Sequence, residues 1–316
     1  ISEIAGSYMQ RRRENRKTFF AAAAVIVAVF LLGFSALYFY NASLASAQGY
    51  VPSSYTQQWQ YAMGWVRENT PANAVFAHWW DYGYWVQTMG ERATIVDGGN
   101  LIGYWNYLVG RHALTGPNER EALNFLYSHN VTHFLIDSSD IGKYPAFSSI
   151  GSDRVYDRRS WIDAFLRNDQ GTYEGKNSTF YIYPGQSILD ADVNYQSNGS
   201  RIFLPGINDI ALSDVRNAAG VGALMIEAHE DNTLRGAEAI MIYQNQQYRV
   251  PLRYAYFNGK FYDFGAGIDA GLFIFPSVQF VQNGQQVVVD DKGAAMFLSS
   301  KTVHSQFARL YLYDEP

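Results

Sequence analysis

Residues 19–40, FFAAAAVIVAVFLLGFSALYFY, run without a single charge. At about 1.5 Å of rise per residue a helix of this length crosses a hydrocarbon layer of roughly 30 Å. The stretch is too long for the apolar region of a signal peptide, which runs about 7–15 residues, so the sequence predicts a transmembrane helix over 19–40. RRRENRK, residues 11–17, precedes it and the uncharged NASLASAQG follows it. Basic flanks stay on the cytoplasmic side, which assigns residues 1–18 to the cytoplasm and everything beyond about residue 41 to the outside.

The outer part is acidic. Of 24 basic and 29 acidic residues in the whole chain, the segment beyond residue 43 keeps 19 and 27, which argues against a nucleic-acid or anionic-lipid surface. Cysteine is absent, so disulfides and thiolate metal sites are excluded and stability must come from the core. The chain opens on Ile1 rather than Met and feeds a single span, an organisation expected of a C-terminal piece of a longer membrane protein.

Residues 41–57, rich in Ser, Gly and Pro, read as a linker. Trp59, Met63 and Val66 then recur at helical spacing and Pro71 ends the helix. AVFAH (74–78), ATIVDGG (93–99) and VTHFLID (131–137) read as buried strands, YGYWVQTM as a helix start, and EREALNFLYSH as an amphipathic helix. Strands alternating with helices predict an α/β domain over 58–171, with a mixed sheet and function at the strands' C-terminal ends. From 172 to 316 short strand-like runs separated by Asn258-Gly259 and Asn283-Gly284 predict a β-rich peripheral domain. The tail FARLYLYD reads as a closing strand.

The most concentrated chemistry is FAHWWDYGYW, residues 76–85. Asp81 between a strand and a helix start could be a helix N-cap, with Trp79 and Trp80 as core. Successive strand side chains point to opposite faces, however, so both indoles enter one core only if the chain turns there. A turn would bring two indole N–H donors and a carboxylate acceptor together, a set suited to a small hydroxyl that both donates and accepts.

WWDYG, Trp79 to Gly83, resembles the signature of the catalytic subunit of oligosaccharyltransferase, the membrane enzyme that attaches lipid-linked glycans to asparagine in Asn-X-Ser/Thr. By that resemblance Trp79, Trp80 and Asp81 bind the acceptor Ser/Thr hydroxyl, with Tyr82 and Gly83 completing the binding segment. The family's second element, Asp-x-x-Lys-x-x-x-Met/Ile, is matched by DIGKYPAF with Asp140 and Lys143, while Phe147 stands where Met or Ile is usual. Phe147, or Ile150 further on, would touch an acceptor threonine methyl. Read without the family, Asp140 and Lys143 form a solvated ion pair on one helical face, and Pro145 kinks or ends that helix.

The resemblance further implies a lipid-linked donor on dolichyl phosphate or pyrophosphate and a divalent cation, Mn or Mg. The acids that hold the cation belong to outward loops of a preceding membrane half, so no catalytic or metal residue is expected within these 316. It implies a multi-pass cell-membrane protein whose C-terminal domain is extracellular, and the cysteine-free, acidic outer part fits an archaeal-type enzyme. The competing reading is a membrane-tethered carbohydrate- or peptide-binding module without transferase activity, since aromatic platforms also bind sugars.

Other features carry less. The six histidines are scattered along the chain, and FGAGIDAG lacks the strand-to-helix setting of a dinucleotide fingerprint. Asp97 and Asn100 in DGGN stand where they could line the same cleft as Asp81. Among the Asn-X-Ser/Thr triplets, Asn41 and Asn198 are the candidates for carrying glycan themselves, because both read as loop residues.

Overall fold

The structure, a computed structural model, describes residues 2–49, 55–197, 199–207, 217–281 and 286–315. Residues 1–62 and 63–316 form two units.

In the first unit, α1 runs from Ser2 to Gly49 and carries the apolar stretch in its middle. Phe19, Phe30, Leu32 and Phe39 along it are all well exposed. It is the one helix among the described residues that is long and apolar enough to cross a membrane. Residues 41–49 continue it where a linker is expected. They contain no proline and hold Ala, Leu and Gln, good helix formers, so nothing breaks the ladder before Gly49. Asn41 is therefore exposed on a helix, not in a loop. Asn198 and the Asn283-Gly284 turn lie outside the described residues.

α2 (Gln57–Asn69) buries Met63 and Val66 and ends before Pro71. Its last carbonyls are taken by Arg92, whose Nη2 donates to Arg67 O at 2.6 Å and Thr70 O at 2.7 Å. β1 (Val75–Ala77), α3 (Gly83–Thr88), β2 (Ala93–Thr94), α4 (Gly103–Leu108), α5 (Glu119–Ser128) and β3 (His133–Phe134) follow. β1 lies between β2 and β3, parallel to both, pairing Val75 with Ala93 and Phe76 with His133. α5 is opened by the Asn118 side chain, which accepts the Glu121 N–H. α6 spans Asp140–Ile150 and does not end at Pro145. The helix gives up one backbone hydrogen bond there, while Tyr144 and Phe147 on either side are fully buried.

β4 (Asp163–Leu166) already belongs to the large sheet. It is followed by β5 (Tyr173–Glu174), β6 (Ser178–Ile188), the small hairpin β7–β8 (Val193–Ser197, Ser200–Leu204), β9 (Gly220–His229), β10 (Leu234–Tyr243), β11 (Gln246–Phe257), β12 (Lys260–Asp263), β13 (Ile268–Val281) and β14 (Gln286–Leu298). The sheet of nine described strands is ordered β4-β14-β13-β11-β10-β9-β6-β5, with β12 paired to β11. It is mixed: β11 and β13 are parallel and their other partners antiparallel. Asn258 and Gly259, at φ 52° and 73°, close the β11–β12 hairpin with both central residues left-handed, as such a tight turn requires. Leu224, Ile226, Met241, Val250 and Leu272 form its core.

The chain is thus an α/β layer and a mixed, β-rich layer following a long apolar helix. The tail departs from expectation. After α7 (Ser300–Val303), residues 308–312 are helical rather than a strand. Phe307, Ala308, Leu312 and Tyr313 are buried while Arg309 to Tyr311 are not, a helical period that the alternation of a strand could not satisfy.

Candidate functional site

β1 ends at Ala77, and the chain turns two residues later. Trp79 is still extended, at φ −68° and ψ 144°, and Trp80–Tyr82 form a single 3-10 turn leading into α3. That turn separates the two indoles. Trp79 is 2% exposed and packs on Phe147 at 5.7 Å between ring centroids, whereas Trp80 is half-buried. Asp81 does not cap α3, whose N-terminus has no side-chain cap. Its carboxylate instead pairs with Lys143, Oδ2 to Nζ 2.7 Å, and both side chains stay about a quarter exposed, at 27% and 28%.

Gly83 is present for want of space. A Cβ there would lie 2.5 Å from Asp97 Cα and 2.6 Å from Val96 O, backbone atoms in the segment just after β2. Asp97 accepts from Gln87 Nε2 at 2.9 Å and from Gly99 N–H at 2.8 Å. With Asn100, Thr94, Trp105 and Asn106 it borders a cavity of about 280 Å³.

α6 supplies the second half of the site, with partners other than those its spacing suggests. Asp140 is fully buried; it accepts from the Tyr82 phenol at 2.6 Å and from Asp137 N–H at 3.0 Å. Burial raises its pKa against those hydrogen bonds. Lys143 reaches across to Asp81, donates to the Tyr82 oxygen at 2.9 Å and sits 4.3 Å from the centre of that ring. The ion pair that Lys143 forms is therefore with Asp81. Phe147 is fully buried against Trp79, Tyr144 and Phe307, whereas Ile150 is 43% exposed.

His78 is the residue that sequence reading passed over, although it directly precedes the motif. It is fully buried, its Nδ1 lies 2.7 Å from Trp79 O, and its Nε2 has no partner among the described residues. Burial pushes its pKa down to about 4. The unfolded imidazole takes up a proton near pH 6.5 and the folded one near 4, so this contribution to stability is whole above about 6.5 and lost as pH falls toward 4. The loss should reach about 3 kcal/mol at most. Buried Asp140 and Asp190 have raised pKa values and act in the opposite sense. The difference between wild type and His78→Gln in denaturant melts from pH 7 to 4 isolates the histidine; a constant difference would rule out the effect.

Among the described residues no group of three or more His, Asp or Glu side chains converges to hold a metal ion.

Residues 72–184 match the STT3/PglB/AglB core domain. A 98-residue segment is 33% identical to dolichyl-phosphooligosaccharide-protein glycotransferase 1 of Pyrococcus furiosus, covering 30% of this chain and 10% of that protein. This segment is similar to the catalytic subunits of oligosaccharyltransferases. The chain is also 26% identical over 147 residues to the STT3 subunit of the dolichyl-diphosphooligosaccharide–protein glycosyltransferase of Saccharomyces cerevisiae, over 46% of its own length and 19% of the yeast protein's. The matches thus span between a tenth and a fifth of those two relatives. Among solved structures, the C-terminal domain of C. jejuni PglB aligns over 82% of this chain and 92% of that domain, at 11% identity and a TM-score of 0.37. The matched segment, 72–184, contains both WWDYG and the Asp140–Lys143 pair.

Proposed function

We propose that this chain is the acceptor-recognition part of an oligosaccharyltransferase that moves a lipid-linked oligosaccharide to Asn in Asn-X-Ser/Thr. The observation that carries this reading is the Asp81 carboxylate. It stands partly open just beyond the end of β1, beside half-buried Trp80, and Lys143 rather than a helix end holds it. A carboxylate oxygen accepts the acceptor hydroxyl's proton and an indole or ammonium N–H donates to its oxygen, so an alcohol satisfies both groups and an alkyl side chain satisfies neither. Enclosed Phe147 backs Trp79 instead of meeting peptide; Ile150 is the exposed candidate for the threonine methyl.

An asparagine amide nitrogen is a poor nucleophile, so transfer also needs acids and a divalent cation, Mn or Mg. The described residues do not fit such a cation, and we assign it, with the dolichyl-linked donor, to other parts of the full-length protein. α1 would anchor the chain in the membrane with residues beyond 41 outside.

The test varies the peptide. With full-length enzyme, replacing the acceptor Thr by Ala should lower kcat/KM by about ten- to a hundredfold, because it removes a hydrogen bond to the Asp81 carboxylate that contributes about 1.5–3 kcal/mol. In Asp81→Ala the same peptide change should cost less than tenfold. Equal discrimination by both enzymes would place hydroxyl recognition elsewhere.

A further inference from the structure

Tyr82 lies inside the acceptor motif, yet it is 2% exposed and its phenol is turned toward α6. Its oxygen lies 2.6 Å from Asp140 Oδ1, 2.9 Å from Lys143 Nζ and 3.0 Å from Ser139 Oγ. An ammonium can only donate, so the phenol oxygen accepts from Lys143 and its own proton is left for the buried carboxylate. The other Asp140 oxygen is taken by Asp137 N–H, which fixes that carboxylate in the first turn of α6. A continuous chain therefore runs from Asp140 through the Tyr82 hydroxyl and the Lys143 ammonium to Asp81.

We propose that Tyr82 is a positioning residue for the acceptor: its hydroxyl, anchored on Asp140, holds the Lys143 ammonium where it orients the Asp81 carboxylate toward the acceptor alcohol. This rests on the acceptor-recognition reading above. It gives the fourth letter of the motif a task distinct from touching peptide, and it gives Asp140 a role as the anchor rather than as a solvated partner of Lys143. The ring alone has other work, packing near His78 and Trp85 and lying under Lys143. Removing only the hydroxyl separates the two.

In full-length enzyme, Tyr82→Phe should raise KM for an Asn-X-Thr peptide about tenfold, the worth of one charge-assisted hydrogen bond. The kcat at saturating peptide and the KM for lipid-linked donor should stay within twofold. Asp140→Asn should produce the same split, and the double variant should be no worse than either single one, since both break one chain. A merely structural role would instead lower the amount of active enzyme, reducing kcat with acceptor KM intact, and that result would overturn the proposal. So would wild-type acceptor KM in Tyr82→Phe, or losses that multiply in the double variant. If Asp81→Asn also keeps wild-type acceptor kinetics, the acceptor reading itself fails; if Asp81→Asn is defective and Tyr82→Phe is not, only the positioning role does.

Discussion

Asp81→Ala in the full-length enzyme is expected to lower kcat/KM for an Asn-X-Thr peptide by about a hundredfold or more while leaving KM for the lipid-linked donor unchanged. Two losses combine. The alcohol loses its charged acceptor, and Lys143, about three-quarters buried, loses its 2.7 Å counter-charge. A hydrogen bond to a charged group contributes about 1.5–3 kcal/mol and an unpaired ammonium in a partly buried site adds to that, which together exceed two decades in rate. Lys143→Ala removes the support but keeps the acceptor oxygen, so its effect should be smaller, on the order of tenfold. Steady-state glycosylation of a labelled peptide at varied peptide and donor concentrations reads both effects. Unchanged acceptor kinetics in Asp81→Ala would end the assignment.

The second large effect belongs to Gly83. Gly83→Ala adds a methyl where Asp97 Cα and Val96 O stand at 2.5 and 2.6 Å, and backbone cannot swing aside as the end of a flexible side chain can. The start of α3 or the segment after β2 must move, at a cost of about 1–3 kcal/mol. Because Asp81 is two residues away, the shift should also raise acceptor KM. Gly64→Ala is the contrast: Gly64 lies within α2, a Cβ there meets nothing within 4 Å, and the change should stabilise by about 0.5–1 kcal/mol. Thermal melts of the two variants should move in opposite directions. A Gly83→Ala protein as stable as wild type would mean the two elements are less closely apposed than 2.5 Å implies.

Much of this site could be read along the chain. The helix that buries Met63 and Val66, the amphipathic α5 and the turn after β1 follow from local periodicity and from the impossibility of two adjacent indoles sharing one strand face. What local patterns could not supply is partnership across distance. Asp140 and Lys143 are three apart and read as mates, yet each is engaged by the motif about sixty residues earlier, Asp140 by Tyr82 and Lys143 by Asp81 and Tyr82. Helical spacing specifies that two side chains share a face; it says nothing about what that face meets. The same limit explains Phe147, whose place in a buried aromatic cluster depends on Phe307, and the tail, whose apolar residues alternate too imperfectly for a strand and sit at helical period once packed.

The close fit between Gly83 and the segment after β2, together with the tether from Tyr82 to α6, bears on how far the five letters can travel. A loop engineered to carry Trp-Trp-Asp-Tyr-Gly in another scaffold would lack both the neighbour that leaves room for the glycine and the buried acid that grips the tyrosine. The smallest portable unit is discontinuous, three separate pieces of chain held in register, and grafting only its consecutive part should yield a peptide ribbon with no grip on an alcohol.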